Sequence, residues 1–129
     1  THGDGRVFIP AVSVRDAPGE HEVLTALRLA EEGVDVLFRI DSREEGVKNP
    51  DVEMNQQVWE LKAPTGQGKN TVDSQMKRAG KQTERLVLDL RRSELDDKKS
   101  IRDVRQGMQG RHLTQVIVID HAGNIVHIP

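Results

Sequence analysis

The stretch over residues 49–62 constrains the fold most, because its alternating side chains predict a β-hairpin. If the turn centres on Asn55 and Gln56, strand pairing puts Asp51 directly across from Glu60. The two faces of the hairpin then differ in character. One face is charged and the other is a core face: Asp51, Glu53, Glu60 and Lys62 against Val52, Met54, Trp59 and Leu61.

The charged face brings two carboxylates together. Directly opposite side chains have Cβ atoms about 5 Å apart, and like charges in that arrangement are destabilising. A divalent cation bridging Asp51 and Glu60 would offset the repulsion, because Mg²⁺ is commonly held by one or two carboxylates with waters and phosphate oxygens. Lys62 projects beside that predicted cation, where an ammonium can orient a water or stabilise a transition-state anion.

Two motifs in this stretch carry a family resemblance. The Pro-Asp at 50–51 followed by the Glu-Leu-Lys at 60–62 resembles the PD-(D/E)xK nuclease signature. The Trp-Glu-Leu-Lys-Ala-Pro at 59–64 is similar to the C-terminal nuclease domains of CdiA-type contact-dependent growth inhibition toxins, some of which cut tRNA. The resemblance implies an α/β fold with a restriction-endonuclease-like core. In that core a mixed β-sheet is flanked by helices in the order α-β-β-β-α-β.

The resemblance also implies a catalytic site. Asp51 and Glu60 would bind Mg²⁺ or Mn²⁺, Glu20 would be an outer metal ligand on the first helix, and Lys62 would complete the catalytic set. A glutamine on the second helix often lines such sites, and either Gln75 or Gln82 fits; the alternative is that both are surface amides. The residues expected to contact substrate are Lys69, Gln75, Lys77, Lys81, Gln82 and Arg85.

Hydrophobic periodicity supplies elements in the implied order, with an extra C-terminal helix and strands. Residues 1–18, rich in glycine and proline, read as a linker or N-terminal arm, in which 7–9 and 12–14 are short strands or extended chain. Residues 19–129 read as a single nuclease domain. The predicted helices cover 20–32, 70–83 and 93–109, the last capped by Ser93, and the predicted strands cover 34–40, 86–90, 116–119 and 125–128.

In the first helix, Glu20 stands at helical spacing from Leu24 and Leu27, which predicts a position near the buried stripe. Glu22 is expected further round, towards solvent. The alternative reading is that an acid in the first turn only complements the helix dipole.

Composition limits the other possibilities. The chain has no cysteine, which excludes disulfides and thiol catalysis, and no apolar run near the ~18 residues of a membrane span. The formal net charge is −2, yet most lysines and arginines follow residue 61, so a local basic surface is expected. No histidine stands at a metal-ligand spacing, and His112 and His121 are the ones most open to another role.

The resemblance implies a domain of a secreted or cell-surface bacterial toxin, acting as a monomer in the cytoplasm of the target cell. Its expected partners are a tRNA substrate and a cognate immunity protein. Two alternatives stay open: a DNA endonuclease of the same superfamily, which the net charge disfavours, and a catalytically inactive nuclease fold that only binds. Retention of Asp51, Glu60 and Lys62 together argues against the inactive fold.

Overall fold

The computed structural model describes residues 5–9, 18–39, 51–66, 71–79, 84–109 and 113–129. The chain divides into two compact units, Thr1–Leu61 and Lys62–Pro129, and each combines strands with helices. The predicted α/β class is therefore confirmed. Within the described ranges, no helix is long and apolar enough to cross a membrane.

The first unit, as far as the structure describes it, is a mixed sheet with one helix. Strands β1 and β2 are parallel, with helix α1 between them in the chain, and the pairs β2–β3 and β3–β4 are antiparallel. The elements are β1 (Val7–Phe8), α1 (Glu20–Ala30), β2 (Val36–Arg39), β3 (Asp51–Met54) and β4 (Gln57–Lys62), the last of which ends one residue beyond the unit.

The N-terminal segment takes part in this sheet. Val7 and Phe8, predicted as a strand or an extended arm, pair with Val36 and Leu37 of β2. A compact unit is not by itself an independent domain, so the predicted boundary between residues 18 and 19 stays a prediction. The stretch 12–14 lies outside the described residues.

The central hairpin has the predicted turn and register. Asn55 and Gln56 adopt positive φ angles of 52° and 67°, as the two central residues of a type I′ turn require. Asp51 pairs with Glu60 and Val52 with Trp59. The predicted core face is confirmed, since its members are at most 7% exposed: Val52, Met54, Trp59 and Leu61.

The buried face of α1 differs from the predicted one. Leu24 and Leu27 are 52% and 48% exposed, so the expectation that Glu20 lies near the buried stripe is wrong, and Glu20 itself is exposed. Glu22 turns inward instead, and its carboxylate accepts a hydrogen bond from the Gly19 N–H at the start of the helix. The buried side chains are Thr25, Ala26, Leu29 and Ala30.

Within its described residues, the second unit contains two helices and three strands. Strands β5 and β6 are parallel and are connected through α3, and β7 pairs antiparallel with β6. The order from α1 to β5 is one helix, three strands, one helix and one strand, as expected, and α3, β6 and β7 follow. The elements are α2 (Thr71–Ala79), β5 (Arg85–Asp89), α3 (Asp97–Met108), β6 (Gln115–Ile119) and β7 (Ile125–Ile128).

Apolar residues of α2, α3 and all three strands form one core in this unit. The predicted central strand is buried along most of its length, as a strand covered on both faces must be. The described part of α2 ends at Ala79, and residues 80–83 of the predicted helix lie outside the described ranges. The core residues are Val72, Met76, Leu86, Leu88, Leu90, Val104, Leu113, Val116, Val118 and Ile128.

Helix α3 begins later than predicted. Ser93 was expected to cap it, but the Ser93 hydroxyl donates to the Leu90 carbonyl at 2.7 Å and so holds the turn after β5. Asp96 is the N-cap, and its carboxylate accepts the Lys99 N–H at 2.8 Å. Both residue types are good caps, and here the Ser93 hydroxyl is used within the turn, where it also accepts the Leu95 N–H at 3.3 Å.

Replacing Gln56 with glycine is expected to stabilise the hairpin. A non-glycine residue in the left-handed region costs roughly 1–2 kcal/mol, and glycine at the second turn position removes most of that cost. Gln57→Gly, one residue later in β4, is the matched control and should destabilise. Urea denaturation of both variants measures the two effects, and a loss of stability in Gln56→Gly would contradict the turn assignment.

Candidate active site

Three charged positions form a row across the first unit. Arg39 of β2 pairs with Asp51 of β3, and Asp51 pairs with Glu60 of β4. The backbone of Asp51 is described, and its side chain is outside the described part of the structure. The order of charges along the row is positive, negative, negative.

Glu60 is the most deeply buried acid that the structure describes, with 1% of its surface exposed. Its neighbours in β4, Trp59 and Leu61, are 7% and 3% exposed, so this part of the strand is covered on both faces. Burying a carboxylate costs several kcal/mol unless charged or polar groups compensate it. The sequence indicated a charged face for Glu60, but it did not indicate that this face is also covered.

Lys62 ends β4 and lies two residues beyond Glu60, so both share one side of the strand. Two residues of extended chain span about 7 Å, which an ammonium on a four-carbon stem can cross. The Lys62 side chain is half-buried. Glu53, the other acid of this face, is half-buried and pairs with Val58 rather than with an acid.

Arg39 is the member of the row that sequence reasoning missed. Its strand alternates in burial, with Val36 and Phe38 buried and Leu37 exposed, so a charged outward position at its end was foreseeable. Its pairing with Asp51 was not, because that register depends on the sheet and not on a sequence spacing.

Two of the three positions in the row carry carboxylates, the kind of oxygen ligand that a hard cation takes. Asp51 and Glu60 are neighbouring carboxylate positions, and oxygen ligands of this kind hold Mg²⁺. Among the residues that the structure describes, no group of three His, Asp or Glu side chains is arranged to hold a metal ion. Glu20 is exposed at the first position of α1, and its role as an outer ligand stays a prediction.

The predicted substrate contacts differ in their surroundings. Lys77 is exposed and Gln75 is half-buried on α2. Arg85 at the start of β5 donates from Nε to the Gln115 Oε1 at 2.9 Å, so one edge of its guanidinium is occupied within the sheet. The other three residues of this set lie outside the described residues: Lys69, Lys81 and Gln82.

Asp89 is a second buried acid, 3% exposed at the end of β5, and the sequence did not single it out. The Arg91 guanidinium donates to both of its oxygens, from Nε at 3.0 Å and from Nη2 at 2.8 Å. This paired geometry accounts for the burial of the charge and indicates a structural role.

His121 connects the turn between β6 and β7 to the start of α3. Its Nδ1 lies 2.7 Å from the Asp97 Oδ1, and its Nε2 lies 2.8 Å from the Ser93 carbonyl oxygen. The hydrogen bonds to Ser93 and then to Asp97 raise the pKa of His121 above its usual value. Both ring nitrogens face acceptors, so the protonated ring donates twice and His121 is structural. His112 lies outside the described residues.

One comparison with known proteins shows the family of the chain, and another shows its fold. The model of the contact-dependent growth inhibition CdiA C-terminal domain matches residues 48–125, more than half of the chain. A CdiA-CT/CdiI toxin and immunity complex from Burkholderia pseudomallei contains a chain with the same fold, at a TM-score of 0.64 and 24% identity. The alignment covers 96% of this chain and 98% of that one. No curated protein matches.

Stability is expected to depend on the protonation of His121. Because its pKa is raised in the folded state, its contribution is complete below roughly pH 6.5 and is lost as the pH rises through the folded pKa. Asp97 and Asp120 are the acids beside it. His121→Gln should remove this part of the pH dependence, whereas His127→Gln at an exposed position of β7 should keep it. Urea denaturation from pH 5 to 9 tests the difference, and identical profiles for the two variants would contradict the assignment.

Proposed function

Because the chain belongs to the family of contact-dependent growth inhibition CdiA C-terminal domains, we propose that it is a nuclease that cleaves tRNA. Domains of this family are parts of secreted cell-surface toxins that are delivered into target cells. The observation that carries the proposal is the pairing of Asp51 with Glu60, with Lys62 two residues further along β4. We assign these residues to a PD-(D/E)xK site that acts in the cytoplasm of the target cell.

Each residue of the site has one task in this proposal. Asp51 and Glu60 would hold Mg²⁺ or Mn²⁺, with Glu20 as an outer ligand. A cation bound there neutralises charge on the scissile phosphate and lowers the pKa of a bound water. Lys62 donates from its ammonium to the attacking water or to the developing negative charge. The covered surroundings of Glu60 strengthen these electrostatic interactions, because little water screens them.

The aromatic residues support a folded RNA as substrate. The chain has one Trp and two Phe, and only Phe8 is exposed, at 44%; Phe38 and Trp59 are buried. Stacking platforms for single strands are therefore scarce, and contacts to the backbone of a compact RNA must dominate. Two described basic residues of the predicted contact set can supply such contacts. They are Lys77 and Arg85, although one edge of the Arg85 guanidinium already donates to Gln115.

Asp51→Ala, Glu60→Gln and Lys62→Ala are each expected to reduce cleavage by roughly 10²-fold or more, because each removes a group that stabilises the transition state. Glutamine is chosen at position 60 since it keeps the volume of a buried side chain. Glu53→Gln, on the same strand as Asp51 but opposite Val58, is the matched control and should keep activity. Full activity in Glu60→Gln would contradict the site.

The substrate is tested with tRNA, ribosomal RNA, plasmid and linear DNA, each with and without EDTA. Discrete breaks confined to tRNA, mapped by sequencing RNA ends, support the proposal. Breaks in DNA with RNA intact would identify the related endonuclease instead. A folded protein that binds tRNA without cutting any of the four would identify an inactive binding module.

An immunity protein is the proposed protein partner, since the structural relative is a toxin and immunity complex. Helix α3 presents three exposed basic residues at positions i, i+4 and i+7, opposite the face buried by Ser100, Val104 and Gly107. Lys99 lies off this stripe, and its ammonium is 2.9 Å from the Asp103 carboxylate. An acidic partner can be steered to the stripe. We call it the α3 basic stripe: Lys98, Arg102 and Arg105.

Arg102→Glu is expected to slow association with the immunity protein by about 10-fold or more at low salt, and less at high salt. Lys99→Glu makes the same charge change off the stripe and should have a much smaller effect. Stopped-flow association with the protein encoded by the neighbouring small reading frame measures both rates. Equal association rates for the two variants would contradict docking of the immunity protein on the α3 basic stripe.

A further inference from the structure

Arg39 stands beside the proposed carboxylate pair, and nothing in the nuclease motif assigns it a role. We propose that Arg39 is a positioning residue: it pairs with Asp51 and offsets the repulsion between Asp51 and Glu60. The catalytic part of this inference rests on the proposed function, and the pairing itself does not.

The sheet register carries the argument. Neighbouring strands lie about 4.8 Å apart, so Arg39 and Glu60 stand about 10 Å from each other on opposite sides of position 51. The nearest cross-strand charge to position 51 is therefore basic on one side and acidic on the other. Opposite charges directly across a pair of strands attract, and like charges repel.

Because Glu60 is buried, the negative charges of Asp51 and Glu60 need nearby positive charges. Glu60 is 1% exposed and Arg39 is half-buried, so solvent and salt screen their charges less than at a free surface. Repulsion between the two carboxylate positions is then relieved by nearby cations rather than by water. Arg39 stands next to Asp51 in the row, and Lys62 lies two residues beyond Glu60 on the same side of β4. The formal charges of these four residues sum to zero.

This charge balance gives Arg39 a function other than binding the substrate. An arginine paired with Asp51 fixes where that carboxylate points, and truncation of the arginine loosens the site without removing a phosphate contact. The expected kinetic result is a lower kcat with little change in KM. Loss of an arginine that binds a phosphate would instead raise KM and would lower the slope of log affinity against log salt by about one.

A double-mutant cycle on stability tests the pairing. Arg39→Gln, Asp51→Asn and the double variant are melted in metal-free, low-salt buffer. Arg39→Gln is expected to lower the Tm by about 3 °C in the wild-type background and by much less when Asp51 is already Asn. Arg92→Gln, the same change at an exposed arginine, is the control and should act equally in both backgrounds. Additive effects of Arg39→Gln and Asp51→Asn would overturn the proposal.

Kinetics on tRNA then test the consequence. Arg39→Gln should lose roughly tenfold or more in kcat at an unchanged salt dependence, and Arg39→Lys should recover part of the loss because it keeps the charge. A reduced salt dependence with raised KM would overturn the positioning role. The melts do not depend on cleavage, so a chain without nuclease activity can still show coupling. If the chain cleaves tRNA but the effects of Arg39→Gln and Asp51→Asn on the Tm are additive, the role of Arg39 is refuted and the proposed function is not.

Discussion

The pairing of β3 with β4 is the constraint on which the candidate site depends. A slip of one residue would move every side chain of the hairpin to the opposite face, exchanging Glu60 with Trp59 or Leu61. Burial of Val52, Trp59 and Leu61 opposes such a slip, and the left-handed turn at Asn55 and Gln56 admits only this register. The hydrophobic core of the first unit therefore fixes the relative positions of Asp51 and Glu60.

The same hairpin buries the charge of Glu60 and places it beside Asp51, so both carboxylates need nearby positive charge. Glu60 lies in a covered part of β4, where its charge must be balanced by neighbours rather than by solvent. The register brings Arg39 next to Asp51, and strand alternation brings Lys62 to the side of Glu60. Groups held on strands in this way change position little during a reaction, which favours transition-state stabilisation.

In the second unit, α3 is held at its N-terminus and along one side, and its other side is exposed. Asp96 caps the helix, and Asp97 in its first turn receives the His121 ring. The buried side of the helix joins the core of that unit, and the α3 basic stripe stays on the surface. The basic side chains of the helix can therefore contact a partner without disturbing the core packing on its other side.

The sequence by itself determined the hairpin, its register and the order of the elements, because these depend on the alternation of side chains and on local turn and helix signals. It also indicated the toxin family through the motif over residues 59–64, which the match over residues 48–125 confirmed. Long-range contacts decided three features that the sequence did not predict correctly: the buried face of α1, the start of α3 and the partner of Arg39. Six apolar residues are spread around α1, and packing selected the side with Ala26 and Ala30 rather than Leu24 and Leu27.

The start of α3 and the place of Arg39 were likewise decided by the tertiary structure. Ser93 and Asp96 are both good helix caps, and in the structure Ser93 belongs to the turn after β5 while Asp96 caps the helix. Arg39 meets position 51 through the pairing of β2 with β3, across a connection whose length carries no register information. Side-chain periodicity is a local property of the chain, whereas burial and charge pairing across strands depend on which elements pack together.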